Sequence, residues 1–247
     1  MKRNKTKQTY KEQAMNKNYV IKEPFFEYGP KCYMYGDVLL EIAKGLDELS
    51  EKYDVDVILD IPDTEIYNIA KNTKRIHIYT QHMDSLEVGK GMGRTLPEAV
   101  KAAGAVGVML NHAEHKLTLE EIEKAIKRAD EVGLATMVCA DSVEEVKEIA
   151  KLAPNILVAE PTELIGTGKP ADKEYVDEVI KCIREINPDI KPFPSAGISK
   201  GEDCYNIIKA GSSASGCSSA IAKSEKPLEL AEEMIAAVRR AWDELHR

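Results

Sequence analysis

The chain has 247 residues, a formal net charge of −8 and 43% apolar residues, which suits one large domain with a substantial core. The acidic balance argues against nucleic acid as a partner but leaves a small anionic substrate open, because such a ligand responds to local rather than net charge. No apolar run approaches the ~18 residues needed to span a bilayer, and five cysteines without CxxC spacing imply neither a disulfide framework nor a zinc site. A reduced, cytoplasmic protein is therefore expected.

Residues 1–21, "MKRNKTKQTYKEQAMNKNYVI", are basic and lack both an apolar core and a small-residue cleavage site. They read as a solvated extension, or as an arm that packs on a neighbouring subunit, rather than as a secretory leader. From residue 22 to 247 a single domain is expected. Short apolar runs there alternate with longer stretches whose apolar positions fall three and four apart. The runs are "FFEYGPKCYMY", "DVILD", "IHIYTQH", "VGVMLNH", "LATMVCA", "ILVAEP", "KPFPSAG" and "SASGCSS". Between them, "DVLLEIAKGLDELSEKY", "TLEEIEKAIKRADEVG", "SVEEVKEIAKLA", "DKEYVDEVIKCIREIN" and "GEDCYNIIKAG" read as helices. Asp37, Thr118 and Ser142 stand where N-caps are expected, while Gly133 and Gly211 close two helices. Eight strands alternating with helices indicate a parallel sheet, and eight is the number that closes a (β/α)8 barrel of about 250 residues. The rival, an open doubly wound sheet, would usually carry GxGxxG after its first strand, and none is present.

In a barrel of this kind, function gathers at the carboxyl ends of the strands. Lys31 falls there on the first strand, His112 on the fourth and Glu160 on the sixth. Alternate strands supply one interior layer, which lets His112 and Glu160 approach one point above the barrel. Small-residue turns follow nearby: "IGTGK" (165–169), "SAGISKGED" (195–203) and "GCSSA" (216–220). Such turns bring backbone N–H groups close to a guest, and the loops after strands seven and eight are a common phosphate site. Three acid–base side chains converging beside an anion cradle point to an enzyme site. His77, His82 and His115 lack the further ligands a metal would need at usable spacing, so neither metal nor cofactor is expected.

These residues carry a likeness. "VMLNHAEHKLTLEEIEKAIKRADEVGL", "VAEPTELIGTGKP", "SAGISKGED", "LPEAVKAAGAVG" and "QHMD" together resemble the triosephosphate isomerase family, particularly its compact archaeal form, from about residue 25 to the C-terminus. The resemblance implies an aldose–ketose isomerase of a small phosphorylated sugar, with glyceraldehyde 3-phosphate and dihydroxyacetone phosphate first in line. It implies Glu160 as the base, His112 as the electrophile at the carbonyl, and Lys31 as the balancing cation with Glu114 beside it. Residues 161–169 would form a lid, and the backbone at Ile165, Gly166, Gly197, Ser218 and Ser219 would hold phosphate. The segment "HMDSLEVGKGMGRTLPEA" would reach into a partner subunit, giving a homodimer or homotetramer.

Two departures stand out. The family has an asparagine two residues before the lysine, whose amide reaches the substrate oxygen, where this chain has Gly29; and Ala113 replaces the usual serine. The missing amide is expected to leave volume beside Lys31, which raises a four-carbon ketose phosphate such as an erythrulose phosphate as an alternative substrate. Two further readings are a lyase or aldolase using Lys31 as a Schiff base, and a sugar-phosphate binding protein without chemistry.

Overall fold

The structure, a computed structural model, describes residues 19–195 and 197–247. The chain runs β1 (Phe25–Tyr28), α1 (Gly36–Tyr53), β2 (Asp56–Ile61), α2 (Asp63–Asn72), β3 (His77–Thr80), α3 (Pro97–Ala103), β4 (Gly107–Leu110) and α4 (Leu119–Val132). It continues with β5 (Ala135–Ala140), α5 (Val143–Ala150), β6 (Ile156–Ala159), α6 (Lys173–Ile186), β7 (Lys191–Pro194), α7 (Gly201–Lys209), β8 (Ala214–Cys217), α8 (Ser219–Ala222) and α9 (Pro227–Leu245). All eight strands are parallel and hydrogen-bonded in the order β7-β6-β5-β4-β3-β2-β1-β8. The remaining seam, between β7 and β8, is bridged where Ser213 N donates to Pro192 O at 3.0 Å. The expected (β/α)8 barrel is the observed fold, and the open sheet is excluded.

Because each strand is buried on both faces, its residues alternate between two cores rather than between core and solvent. Phe25, Ile58, Tyr79, Met137, Ile156 and Phe193 fill the barrel interior. Phe26, Tyr28, Val57, Leu59, Val138 and Leu157 point outward against the helices. The expected extension, residues 1–21, lies largely outside the described residues. Of its last residues, Ile21 is buried with Phe25 and Tyr79, and the Tyr19 ring packs edge-on against His77 and Tyr79.

Local signals explain most element ends. Thr118 caps α4 through a reciprocal box with Glu121, and Ser142 caps α5 by accepting from Glu145 N at 3.2 Å. Gly133 ends α4 in the left-handed conformation. Asp37 is not a cap. Helix α1 begins two residues earlier than an Asp37 cap would place it, at Gly36 with Tyr35 at the N-cap, and Asp37 lies in the first turn, where a carboxylate favours the positive end of the helix dipole. Among the described residues no helix is long and apolar enough to cross a membrane.

Candidate active site

The carboxyl ends of the strands surround a cleft of about 1010 Å³, and Lys31, His112, Glu114, Glu160, Gly166, Gly197 and Ser218 all line it. His112 follows β4 because Asn111 adopts the left-handed backbone conformation (φ 59°), which asparagine tolerates better than most residues. The Asn111 side chain locks that turn: its amide donates to Cys139 O (2.8 Å) and Glu145 Oε1 (2.9 Å), and its oxygen accepts from Leu117 N (2.9 Å). His112 Nδ1 accepts the backbone N–H of Glu114 at 3.1 Å. That bond assigns the ring proton to Nε2, which faces Glu160 Oε2 at 3.9 Å. Burial, followed by the positive charge of Lys31, holds the imidazole below its usual pKa, so the ring is neutral near pH 7.

Glu160 stands just past β6, with its own N–H bonded to Ala140 O (2.8 Å). Burial pushes its carboxyl up to about 6, against the opposing pull of Lys31. Glu160 is thus a carboxylate at neutral pH while remaining basic enough to take a proton. Lys31 also sits in the left-handed region (φ 50°), a conformation unusual enough in a lysine to mark a constrained loop. Its carbonyl accepts from Gln81 Nε2 (3.1 Å), and its ammonium is ion-paired with Glu114 Oε1 at 2.8 Å. This pairing is unlike the apolar pocket a Schiff-base lysine needs.

The segment after Glu160 starts from a fixed point. Thr162 N donates to Asp141 Oδ1 at 2.7 Å, and a short 3₁₀ turn runs over Thr162–Leu164. Its far half is exposed, with Gly166 (φ 72°) and Gly168 (φ 68°) both left-handed. At Gly197 (φ 67°) only glycine fits: a Cβ would lie 1.9 Å from Lys169 O. Gly197→Ala is therefore expected to cost at least about 1 kcal/mol from the backbone conformation alone and to push the end of the 161–169 segment away from the β7 turn. Urea denaturation reads the first effect and limited proteolysis at Lys169 the second; unchanged values in both would remove Gly197 as the packing point. Ser218, at the start of α8, contributes a buried Oγ without a hydrogen-bond partner among the described residues. Ser219 lines the cleft beside it, and Ile165 lines it from the 161–169 segment.

Sequence reasoning missed two residues of this cleft. Glu27 on β1 and Asp60 on β2 are only 7% and 3% exposed, yet both line the cavity floor. The room expected at Gly29 is occupied. A Cβ there would stand 2.8 Å from Glu27 Oε1 and 3.9 Å from Asp60 Oδ2. Tyr28 points the other way, with its hydroxyl on Met34 Sδ at 3.3 Å.

Residues 30–194 match the sequence model of the triosephosphate isomerase family. Among curated proteins, the triosephosphate isomerase of Sulfurisphaera tokodaii is 38% identical over 227 residues, covering 90% of this chain and 99% of its own. Those of Methanobacterium bryantii (36% over 226 residues, 90% and 100% covered) and Methanosarcina mazei (35% over 220 residues, 87% and 99% covered) are also similar.

Proposed function

The chain belongs to the triosephosphate isomerase family, and from that premise we propose that it interconverts glyceraldehyde 3-phosphate and dihydroxyacetone phosphate through an enediol. The observation that carries this reading is the pairing of His112 Nε2 and Glu160 Oε2, 3.9 Å apart, with Nδ1 tied to backbone. Glu160 takes a proton from one of the two carbons bearing oxygen and returns it to the other. His112 Nε2–H donates to the oxygen on which negative charge develops, stabilising the transition state more than the ground state. A neutral imidazole in that role is the arrangement for which this family already serves as the general example. Lys31 offsets the charge of phosphate and enediolate, and Glu114 holds its ammonium in place. Backbone amides at Ile165, Gly166, Gly197, Ser218 and Ser219 receive the phosphate. Closure of 161–169 over the site excludes water and protects the enediolate from losing phosphate.

A homodimer or homotetramer belongs to the same reading, supported by the β3–α3 segment, where Val88 and Met92 are exposed apolar side chains. A cytoplasmic location also belongs to it, supported by five cysteines of which none is paired. The four-carbon substrate loses its original motive, since Glu27 fills the space at Gly29.

The test is turnover of either triose phosphate, followed across pH. Glu160 works only as the carboxylate, so kcat/KM is expected to fall roughly tenfold per unit below about pH 6. A phosphate monoester titrates in the same range, so the limb must be assigned by a variant. Asp141→Asn removes a negative neighbour that raises Glu160 and should move the limb to lower pH. Absence of triose phosphate turnover at any pH would end the proposal, and a limb unmoved by Asp141→Asn would detach it from Glu160.

A further inference from the structure

Glu27 and Asp60 are the two acids in the barrel interior that the mechanism above does not use. A buried carboxyl without a role is costly, and the surroundings of Glu27 are shaped to house one. Gly29 lies two residues ahead on the same face, and Gly216 on β8 stands opposite Glu27 in the strand register. A Cβ on Gly29 would fall 2.8 Å from Glu27 Oε1, and one on Gly216 would fall 2.9 Å from Oε2. The bare position at Gly29 thus leaves the space the carboxyl fills, while at Gly216 a Cβ would meet the Glu27 carbonyl oxygen first, at 2.4 Å. On the neighbouring strand, Asp60 has one oxygen, Oδ1, fully buried with no hydrogen-bond partner among the described residues. Both acids line the same cavity as Lys31, His112 and Glu160. An unpartnered oxygen and a housed carboxyl at the floor of a polar cleft call for an oxygen-rich group there.

We propose that Glu27, backed by Asp60, is a substrate-binding residue: its carboxylic acid donates a hydrogen bond to a carbonyl or hydroxyl oxygen of the sugar at the end remote from phosphate, from the place where a side chain at position 29 would otherwise reach. The inference rests on the isomerase reading and identifies which end of the substrate meets the barrel floor. The setting favours the acid form. Burial, then the adjacent Asp60, then Glu160 hold Glu27 well above the ordinary carboxylate range, and Lys31 opposes them only in part. Asp60 is likewise raised by burial and by Asp63. Cys139 from β5, Cys217 from β8 and the adjacent Tyr28 feel the Glu27 charge in turn, and burial pushes all three up, so they stay neutral. A carboxylic acid is an O–H donor, whereas a carboxylate on the floor would repel an enediolate.

The test compares Glu27→Met and Glu27→Gln with wild type, by kcat/KM on both triose phosphates and by calorimetric binding of 2-phosphoglycolate. Glu27→Met keeps the bulk but removes the donor, and is expected to lower kcat/KM by about 10-fold to 100-fold and to weaken the ligand by about 10-fold. Glu27→Gln keeps shape and donor and should recover most of both. A purely structural acid would not give the third readout. Wild type should lose kcat/KM on the alkaline side as Glu27 ionises, and Glu27→Gln, which cannot ionise, should lack that fall. Equal kcat/KM and equal affinity in Glu27→Met, or an alkaline fall that persists unchanged in Glu27→Gln, overturns the proposal. If wild type turns over neither triose phosphate but binds 2-phosphoglycolate with the predicted dependence on Glu27, the floor subsite stands and the assigned reaction falls.

Discussion

Glu160→Asp is expected to lower kcat by about 10² or more while KM moves far less. The substitution keeps the charge but withdraws the carboxylate by one methylene from a point that His112 Nε2 faces at 3.9 Å. Misplacing a reacting group by about 1 Å is penalised mainly in the transition state, at about 10²-fold. Glu160→Gln removes the base altogether and should cost more, toward the ~10⁴-fold upper range of a general base. The same variant should raise stability. Burial holds the folded Glu160 near 6, above its ordinary value of 4.5, so folding is favoured when this group is protonated. That contribution is complete below about pH 4.5 and is lost as pH rises through 6. At pH 7–8 the native protein therefore carries a cost of roughly 2 kcal/mol, which the neutral amide relieves. Near-normal turnover of triose phosphate by Glu160→Gln, or a stability gain equal at pH 4 and pH 8, would contradict this account.

His112→Ala is the second large effect expected, a loss of roughly 10²–10³ in kcat, the size typical of a single donor at a developing oxyanion. Only Nε2 can act, because Nδ1 is already engaged by Glu114 N at 3.1 Å. His112→Gln, which presents an amide N–H at a similar reach, should recover part of the loss, while His112→Leu should not. The informative measurement is proton exchange at the substrate carbon alongside turnover. With the electrophile removed and Glu160 intact, both should fall together, since proton abstraction itself depends on charge stabilisation at the oxygen. Exchange at the wild-type rate in His112→Ala would place the electrophile elsewhere in the cleft.

Much of the molecule was legible before folding. Alternation of short apolar runs with amphipathic stretches located all eight strands, because each strand end is marked by a local change: a polar residue such as Asn111 or Glu160, a glycine, or a capping residue such as Thr118 or Ser142. His112, Glu160 and Lys31 were recognisable for a related reason. Each sits in a short contiguous motif at a strand's carboxyl end, where barrel geometry alone brings it to the cleft. The caps were less legible; Asp37 carries a capping residue's chemistry, but Gly36 (φ 61°) starts the helix two positions sooner, with Tyr35 at the cap.

What the sequence left open depended on the third dimension. In a strand buried on both faces, alternation no longer distinguishes core from solvent, so nothing in "FFEY" or "DVILDI" tells which face receives Glu27 or Asp60. The closed barrel decides it: register with Gly216 and proximity to Gly29 turn both acids inward, onto the floor of the cleft. The absence of a side chain at position 29 could be read from the chain as empty space. Only packing could show that a carboxyl two residues earlier, on the same face, already fills it.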